Sequence, residues 1–266
     1  MNVDLLSFAT YILSGAGVGL LIGLTGVGGG SLMTPLLILF NIPQHIAIGT
    51  DLLYAAITKA SGVVAHQKRG NIQWRIVLTM LAGSIPASIA ITILIYFYFD
   101  NASEYKHLLT KTLGIMLVVT AVVLFFRKQI QGLSASNSTT TLNIQLQNSI
   151  KLTFFAGIFL GVMVTLSSVG AGAFGTAILM ILFSKLPSMH IIGTDLAHAV
   201  PLTFVAGMGH FIVLNNVDFV LLAGLLIGSI PAVSIGTKIG ARLPERFMYN
   251  LLAGILLILG ARFVLF

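Results

Sequence analysis

The sequence predicts an all-α polytopic membrane protein, built from two inverted repeats of about five transmembrane segments each, with glycine-broken helices or hairpins near the midplane. Three observations predict it. Of 266 residues, 57% are hydrophobic and only 8% are charged, against roughly 25% charged in soluble domains. Long apolar stretches, joined by short polar loops, fill most of the chain. The second half repeats the order of motifs in the first. With a mean hydropathy of +1.03, the chain has too little polar surface to cover itself in water. Composition therefore excludes a soluble enzyme, a disordered chain and a fibrous protein. The absence of cysteine excludes a disulfide scaffold, thiol chemistry and cysteine metal sites. The net charge of +7 reads as basic cytoplasmic loops rather than as a nucleic-acid surface.

A spanning helix needs about 20 mostly apolar residues. The first apolar stretch, 5–40, is too long for one straight helix. It is interrupted by Thr25-Gly26-Val27-Gly28-Gly29-Gly30-Ser31, and glycine runs of this density make poor helix interiors. It reads as two shorter helices, either a hairpin or a re-entrant pair. Gly15-Ala16-Gly17-Val18-Gly19, which looks like a nucleotide loop, has no strand before it and reads as helix interior. No basic region precedes the stretch, so a cleaved signal peptide is not expected. Spans follow at 47–66, 75–97 and 108–127. The polar segment 128–150, rich in Ser, Thr, Asn and Gln, reads as a cytoplasmic linker. It separates a first transmembrane repeat, 1–127, from a second, 151–266. The stretch 151–184 is again overlong and is broken at Ser167-Ser168-Val169-Gly170-Ala171-Gly172. Spans at 192–213, 217–240 and 247–266 complete the chain.

Four matches in the same order define the repeat. Val27-Gly28-Gly29-Gly30 matches Val169-Gly170-Ala171-Gly172. Leu39-Phe40 followed by Pro43 matches Leu182-Phe183 followed by Pro187. Gly49-Thr50-Asp51 matches Gly193-Thr194-Asp195, and Gly83-Ser84-Ile85-Pro86 matches Gly228-Ser229-Ile230-Pro231. The positive-inside rule then orients the halves. If 151–184 crosses once, basic residues divide evenly between the two sides. If it forms a hairpin or crosses twice, Lys68, Arg69, Arg75, Arg127, Lys128, Lys151, Lys185, Lys238, Arg242 and Arg246 lie inside, and only Lys106 and Lys111 lie outside. The second arrangement gives each half five segments, so the halves are inverted and both termini face outward. Inverted repeats with interrupted helices point to a secondary transporter.

Candidate site residues follow from what a bilayer penalises. A helix that stops inside the membrane leaves amides that must face protein, water or ligand, and its N-terminus favours anions. The paired breaks therefore nominate Thr25, Gly28, Gly29, Gly30, Ser31, Ser167, Ser168, Gly170, Ala171 and Gly172 for binding a small anion; close packing through small residues is the alternative. Asp51 and Asp195 are carboxylates at the edge of spans. With Thr50 and Thr194 they are candidates for helix caps or for coupling and gating. Lys59 lies well inside a span and has no cationic counterpart, since Thr203 stands near the equivalent position. It needs an anionic or carbonyl partner unless it snorkels to the interface. His198 lies three residues after Asp195 on one helix face, a pairing suited to proton relay. His66 and His210 read as interfacial. Trp74 and Tyr96 to Tyr98 read as an interfacial belt. Neither a metal site nor a cofactor is expected. No Walker, G-x-S-x-G or H-E-x-x-H motif is present.

The Gly-Val-Gly-Gly-Gly-Ser break at 26–31, Pro35 after it and the downstream Gly49-Thr50-Asp51 resemble the TauE/SafE sulfite exporter family, as does the second copy at 169–195. The resemblance covers nearly the whole chain apart from 128–150. It implies secondary transport of small sulfur-containing anions, sulfite or organosulfonates, by a multi-pass protein of the bacterial inner membrane. Expected partners are a small anionic substrate, the lipid bilayer, and coupling protons or ions, with no nucleic acid. The chain departs from its own pattern at Ala171, where the first half has Gly29. The alternatives are the same fold carrying another anion, or importing rather than exporting; a passive anion channel; and, from another class, an intramembrane enzyme or assembly factor.

Overall fold

The computed structural model describes residues 5–25, 32–99, 102–126, 142–183, 185–240 and 245–265. Among them are ten α-helices and no strand. The first half holds α1 (Leu5–Thr25), α2 (Met33–Leu39), α3 (Gln44–Lys68), α4 (Trp74–Tyr98) and α5 (Ala102–Phe125). The second holds α6 (Leu142–Ser167), α7 (Ala173–Leu182), α8 (Ser188–Ile212), α9 (Phe219–Gly240) and α10 (Glu245–Leu265). All six segments read as single spans are helical. Each overlong stretch is a long helix followed by a short one. Helix α6 begins at Leu142, inside the stretch read as linker; residues 128–141 of that stretch lie outside the described residues.

Among the described residues, five helical stretches are long and apolar enough to cross a membrane: Trp74–Tyr98, Glu104–Phe125, Ile150–Ser167, Ser188–Ile212 and Phe219–Ile239. Their outward faces carry large apolar side chains such as Ile89, Ile93, Phe155, Phe204 and Ile227. The interior carries Asp51, Lys59, Asp195, His198 and a set of buried threonines and serines. Apolar outside and polar within suits lipid as solvent.

Packing crosses between the halves. Helix α1 packs mainly on α9, and α4 mainly on α6. The self-corresponding helices also pair, α3 with α8 and α5 with α10. Two large apolar cores result, beside a small cluster of Ile72, Val77 and Ala197. One joins α1, α2, α5, α9 and α10, and the other joins α4, α6, α7 and α8. Helices α3 and α5 contribute to both, α5 through Tyr105 and Leu109 in the second.

Small residues set the two crossed seams. A methyl group built on Gly15, Gly19 or Gly23 of α1 would strike the α9 backbone at Leu225, Ser229 and Val233 respectively. The contacts advance together along both helices, so α1 and α9 run parallel. In the same way Gly157 meets Met80 and Gly161 meets Ser84, so α4 and α6 run parallel. By contrast, Gly49 lies against His210, Gly207 against Leu53 and Gly62 against Leu196, so α3 and α8 run antiparallel. Helices α5 and α10 are also antiparallel, with Gly114 against Val264 and Gly260 against Val118. The run at 15–19 is thus a packing surface inside α1. Gly161→Leu is expected to force α4 and α6 apart, destabilising the protein by roughly 1–3 kcal/mol. A fall in the thermal unfolding midpoint in detergent would check it.

Helix ends follow local chemistry. Pro43 and Pro187 stand immediately before α3 and α8, where a missing N–H removes no helical bond. After α3 and α8 the chain turns at Gly70 (φ +68°) and Asn215 (φ +52°), left-handed residues that close helix C-termini. In both turns the next amide returns to a histidine carbonyl, Asn71 N to His66 O at 3.0 Å and Asn216 N to His210 O at 2.8 Å. Asp218 caps α9, its Oδ1 accepting from Val220 N and Leu221 N at 2.8 and 3.0 Å.

Candidate functional site: a buried break between two carboxylates

Helix α6 ends at Ser167 and α7 begins at Ala173. The connecting residues are buried in protein rather than turned toward lipid. Ser168 (φ +58°), Gly170 (φ +121°) and Gly172 (φ +140°) all take positive φ, and the two glycines adopt values that side chains rarely allow. The Ser167 hydroxyl donates to Met163 O at 2.6 Å and accepts from Val169 N at 3.1 Å. It closes its own helix rather than offering a free donor. Ser168 Oγ is buried and has no hydrogen-bond partner within the protein. Of the first break, Thr25 is the last residue of α1; Gly28, Gly29, Gly30 and Ser31 lie outside the described residues.

The two aspartates grip the short helices. Thr34 of α2 donates to Asp51 Oδ2 from both its amide and its hydroxyl, at 3.2 and 2.6 Å. Thr176 of α7 donates from its hydroxyl to Asp195 Oδ2 at 2.9 Å. Each long central helix thus holds the half-helix of its own repeat. The second oxygen of each carboxylate, Asp51 Oδ1 and Asp195 Oδ1, is buried without a hydrogen-bond partner. Asp195 Oδ1 faces Gly175 closely, where an added methyl group would strike it. The Ser168 hydroxyl lies beside the Asp51 carboxyl, outside hydrogen-bonding geometry.

Lys59 joins this centre. Only 5% exposed, it does not snorkel; its ammonium donates to Ala171 O at 2.7 Å. It therefore reaches from α3 of the first half to the break of the second. Both Asp195 and Asp51 lie within its electrostatic range. The break, the two carboxylates and the single ammonium form one buried polar centre.

The remaining candidates sit elsewhere. Thr50 and Thr194 neither cap their own helices nor enter the centre. Thr50 Oγ1 accepts from Asp218 N at 3.1 Å, and Thr194 Oγ1 accepts from Gln73 N at 3.0 Å. Their neighbours complete the device: a methyl group on Gly49 would strike Asn216 O, and one on Gly193 would lie 2.7 Å from Asn71 O. In each Gly-Thr-Asp the glycine admits the other half's loop, the threonine pins it, and the aspartate holds the half-helix. Thr50→Val and Thr194→Val should each remove about 1 kcal/mol of local stability. Amide exchange at Asp218 and Gln73 should accelerate several-fold in the respective variant, which hydrogen-exchange measurements would check.

His198 does not bond Asp195. Its Nε2 lies 2.9 Å from Ser84 Oγ, so the expected His–carboxylate pair is absent from the hydrogen-bonding pattern. Both residues are fully buried. The repeat counterparts, Tyr54 and Ser229, also neighbour one another, which makes the contact part of the repeated architecture. His210 is fully buried rather than interfacial and donates from Nε2 to Thr165 O at 3.0 Å. Trp74, Tyr96 and Tyr98 are exposed at helix ends, as a belt requires. Sequence reasoning missed Thr34 and Thr176. Each lies in the short helix just after its break, and the shared signal is a lone threonine beside Pro35 in one half and Ala177 in the other. Among the described residues no group of three or more His, Cys, Asp or Glu could hold a metal ion.

The sequence is similar to known proteins over most of its length. Residues 11–263 match the family described as sulfite exporter TauE/SafE. The probable membrane transporter protein YjnA of Bacillus subtilis is 38% identical over 260 residues, 96% of this chain and 99% of that protein. YdhB of the same organism, also named a probable membrane transporter protein, is 30% identical over 248 residues, 91% of this chain and 96% of its own. MJ0441 of Methanocaldococcus jannaschii, named likewise, is 25% identical over 271 residues, 96% of this chain and 95% of its own. No solved structure matches the chain. With an all-helical bundle, apolar outside and charged within, and a family match that runs almost from end to end, the chain belongs to the TauE/SafE family of membrane transporters.

Proposed function

We propose that the chain is a secondary transporter exporting a small sulfur-containing anion, sulfite or an organosulfonate, by alternating access between two inverted halves. The observation that carries this is the buried break at 167–172, where an ammonium and a helix N-terminus meet inside the bundle. Backbone amides at such an end favour anions, and the family description supplies the sulfur class. Inversion is supported by chain direction. A two-fold axis in the membrane plane turns α3 onto an antiparallel α8 and α5 onto an antiparallel α10, and it exchanges the parallel pairs α1–α9 and α4–α6. Basic residues at Lys68, Arg69 and Arg75 favour a cytoplasmic α3–α4 loop. The α8–α9 loop and both termini then face outward across the bacterial inner membrane.

Two experiments test this. Because the chain has no cysteine, Gln67→Cys and Asn215→Cys each supply a single label site; impermeant maleimide should reach them from opposite sides. In proteoliposomes, sulfite and sulfoacetate should show saturable, competable flux. If neither binds nor crosses, the substrate class is wrong.

One observation favours a second reading, import of the same class of anion. Two aspartates against one lysine leave the centre net negative when all three are ionised. An anion then enters most readily with protons, and an inward proton gradient would drive it inward. Flux under imposed pH gradients of either sign decides between the two.

A further inference from the structure

We propose that Lys59 is the protein's resident cation: its ammonium fills the oxygen-lined position at the α6–α7 break that an alkali-metal ion would otherwise occupy, so that removing the ammonium opens a Na⁺ site. Interrupted membrane helices present carbonyl oxygens that can coordinate Na⁺. Here that role falls to Ala171 O, and a lysine side chain holds it at 2.7 Å.

The surroundings are those of a hard cation. Asp51 Oδ1, Asp195 Oδ1 and Ser168 Oγ are all buried and lack hydrogen-bond partners. Asp195 Oδ1 lies against the first turn of α7, since a methyl group on Gly175 would strike it. Carboxylate, carbonyl and hydroxyl oxygens are the ligands of hard, redox-inactive cations. No cysteine is present, and no third acidic or histidine residue joins the two carboxylates among the described residues. That pattern suits a monovalent ion better than a transition metal.

Lysine fits the same place for simple reasons. An ammonium is a compact point charge with three donors. Only one of those donors is bonded here, to Ala171 O, so its hold on the centre is mainly electrostatic, as an ion's would be. Among the described residues the arrangement is also single. Thr203, at the equivalent position of the second half, directs its hydroxyl to Ala199 O and Val200 O of its own helix, at 2.9 and 3.3 Å. The charge thus serves one break, through a side chain that the other half supplies.

The inference rests on the proposed function only in treating this centre as the transport site, and its test needs no anion. Thermal unfolding of the full chain in detergent is measured in choline chloride and in sodium chloride at equal ionic strength. The wild type and Lys59→Arg are expected to be indifferent to the exchange. Lys59→Met and Lys59→Gln are expected to be stabilised by Na⁺ in a saturable way. At a hundredfold excess over Kd, linkage gives a rise of roughly 5–10 °C. The rise should vanish in Lys59→Met/Asp195→Asn. A Lys59→Met variant recovered only in Na⁺ supports the proposal. Folded variants blind to Na⁺, variants that fail in both salts, or a wild type stabilised by Na⁺ to the same extent would each overturn it. Failure of sulfite to cross in the wild type would sink the anion reading and leave this result standing.

Discussion

Asp195→Asn is expected to fold and to lose more than about 100-fold in anion flux. Asparagine keeps an acceptor for the Thr176 hydroxyl, which now donates to Asp195 Oδ2 at 2.9 Å, so α7 stays tied to α8. What disappears is one of the two negative charges that face Lys59, so Asp51 alone remains to balance the ammonium. Removing one partner from a buried charge set costs up to about 3–5 kcal/mol, and 1.4 kcal/mol is about tenfold in an equilibrium. The penalty falls on whichever conformation exposes Lys59 least, which stalls the cycle. Asp195→Ala adds loss of the tether and should lower the unfolding midpoint as well. Asp51→Ala should lower it further, because Asp51 receives two bonds from Thr34 where Asp195 receives one from Thr176. Flux in proteoliposomes and thermal unfolding in detergent measure the two effects separately. Wild-type flux in Asp195→Asn would remove this carboxylate from the mechanism.

Gly172→Ala is expected to damage stability and transport together. Gly172 sits at φ +140° and Gly170 at φ +121°. Forcing a side chain into such backbone costs roughly 1–3 kcal/mol at each position. For a chain of this size that is a fall of roughly 2–10 °C in the unfolding midpoint. Relief of the strain would rotate the Ala171 carbonyl, which now accepts from Lys59 at 2.7 Å, so flux should fall with it. Ala171→Gly is the contrasting change. It makes the second break match Gly29 of the first, and it should alter stability by no more than about 1 kcal/mol.

The helical framework was legible because lipid leaves few choices. Six apolar runs of the right length became helices, and the dense glycine at 167–172 marked a real interruption. The partners across the fold were not legible. Nothing local announces that Lys59 will meet Ala171, 112 positions away. Asp51 and Asp195 were visible as costly groups, yet their partners Thr34 and Thr176 share only a single residue type between the halves. Thr50 and Thr194 were read with the aspartates beside them. On a helix, however, adjacent residues point about 100° apart, and these two face the loops of the opposite half. His198 fell three positions from Asp195, a spacing that permits contact without requiring it, and Ser84 on α4 took the ring instead. His210 lies near a helix end, where an interface is the usual reading; crossed packing of α8 on α4 and α6 buries it.

The crossed seams also bear on how the chain is made. Helix α1 is complete at Thr25, but its parallel partner α9 does not begin until Phe219. A nascent α1 must therefore wait in the membrane, its face of Gly15, Gly19 and Gly23 unmatched, while nearly the whole polypeptide is synthesised. A ribosome that stalls after the fifth helix leaves a fragment without the main packing partner of either α1 or α4. Quality-control proteases would meet such a fragment as an orphan rather than as half of a working protein.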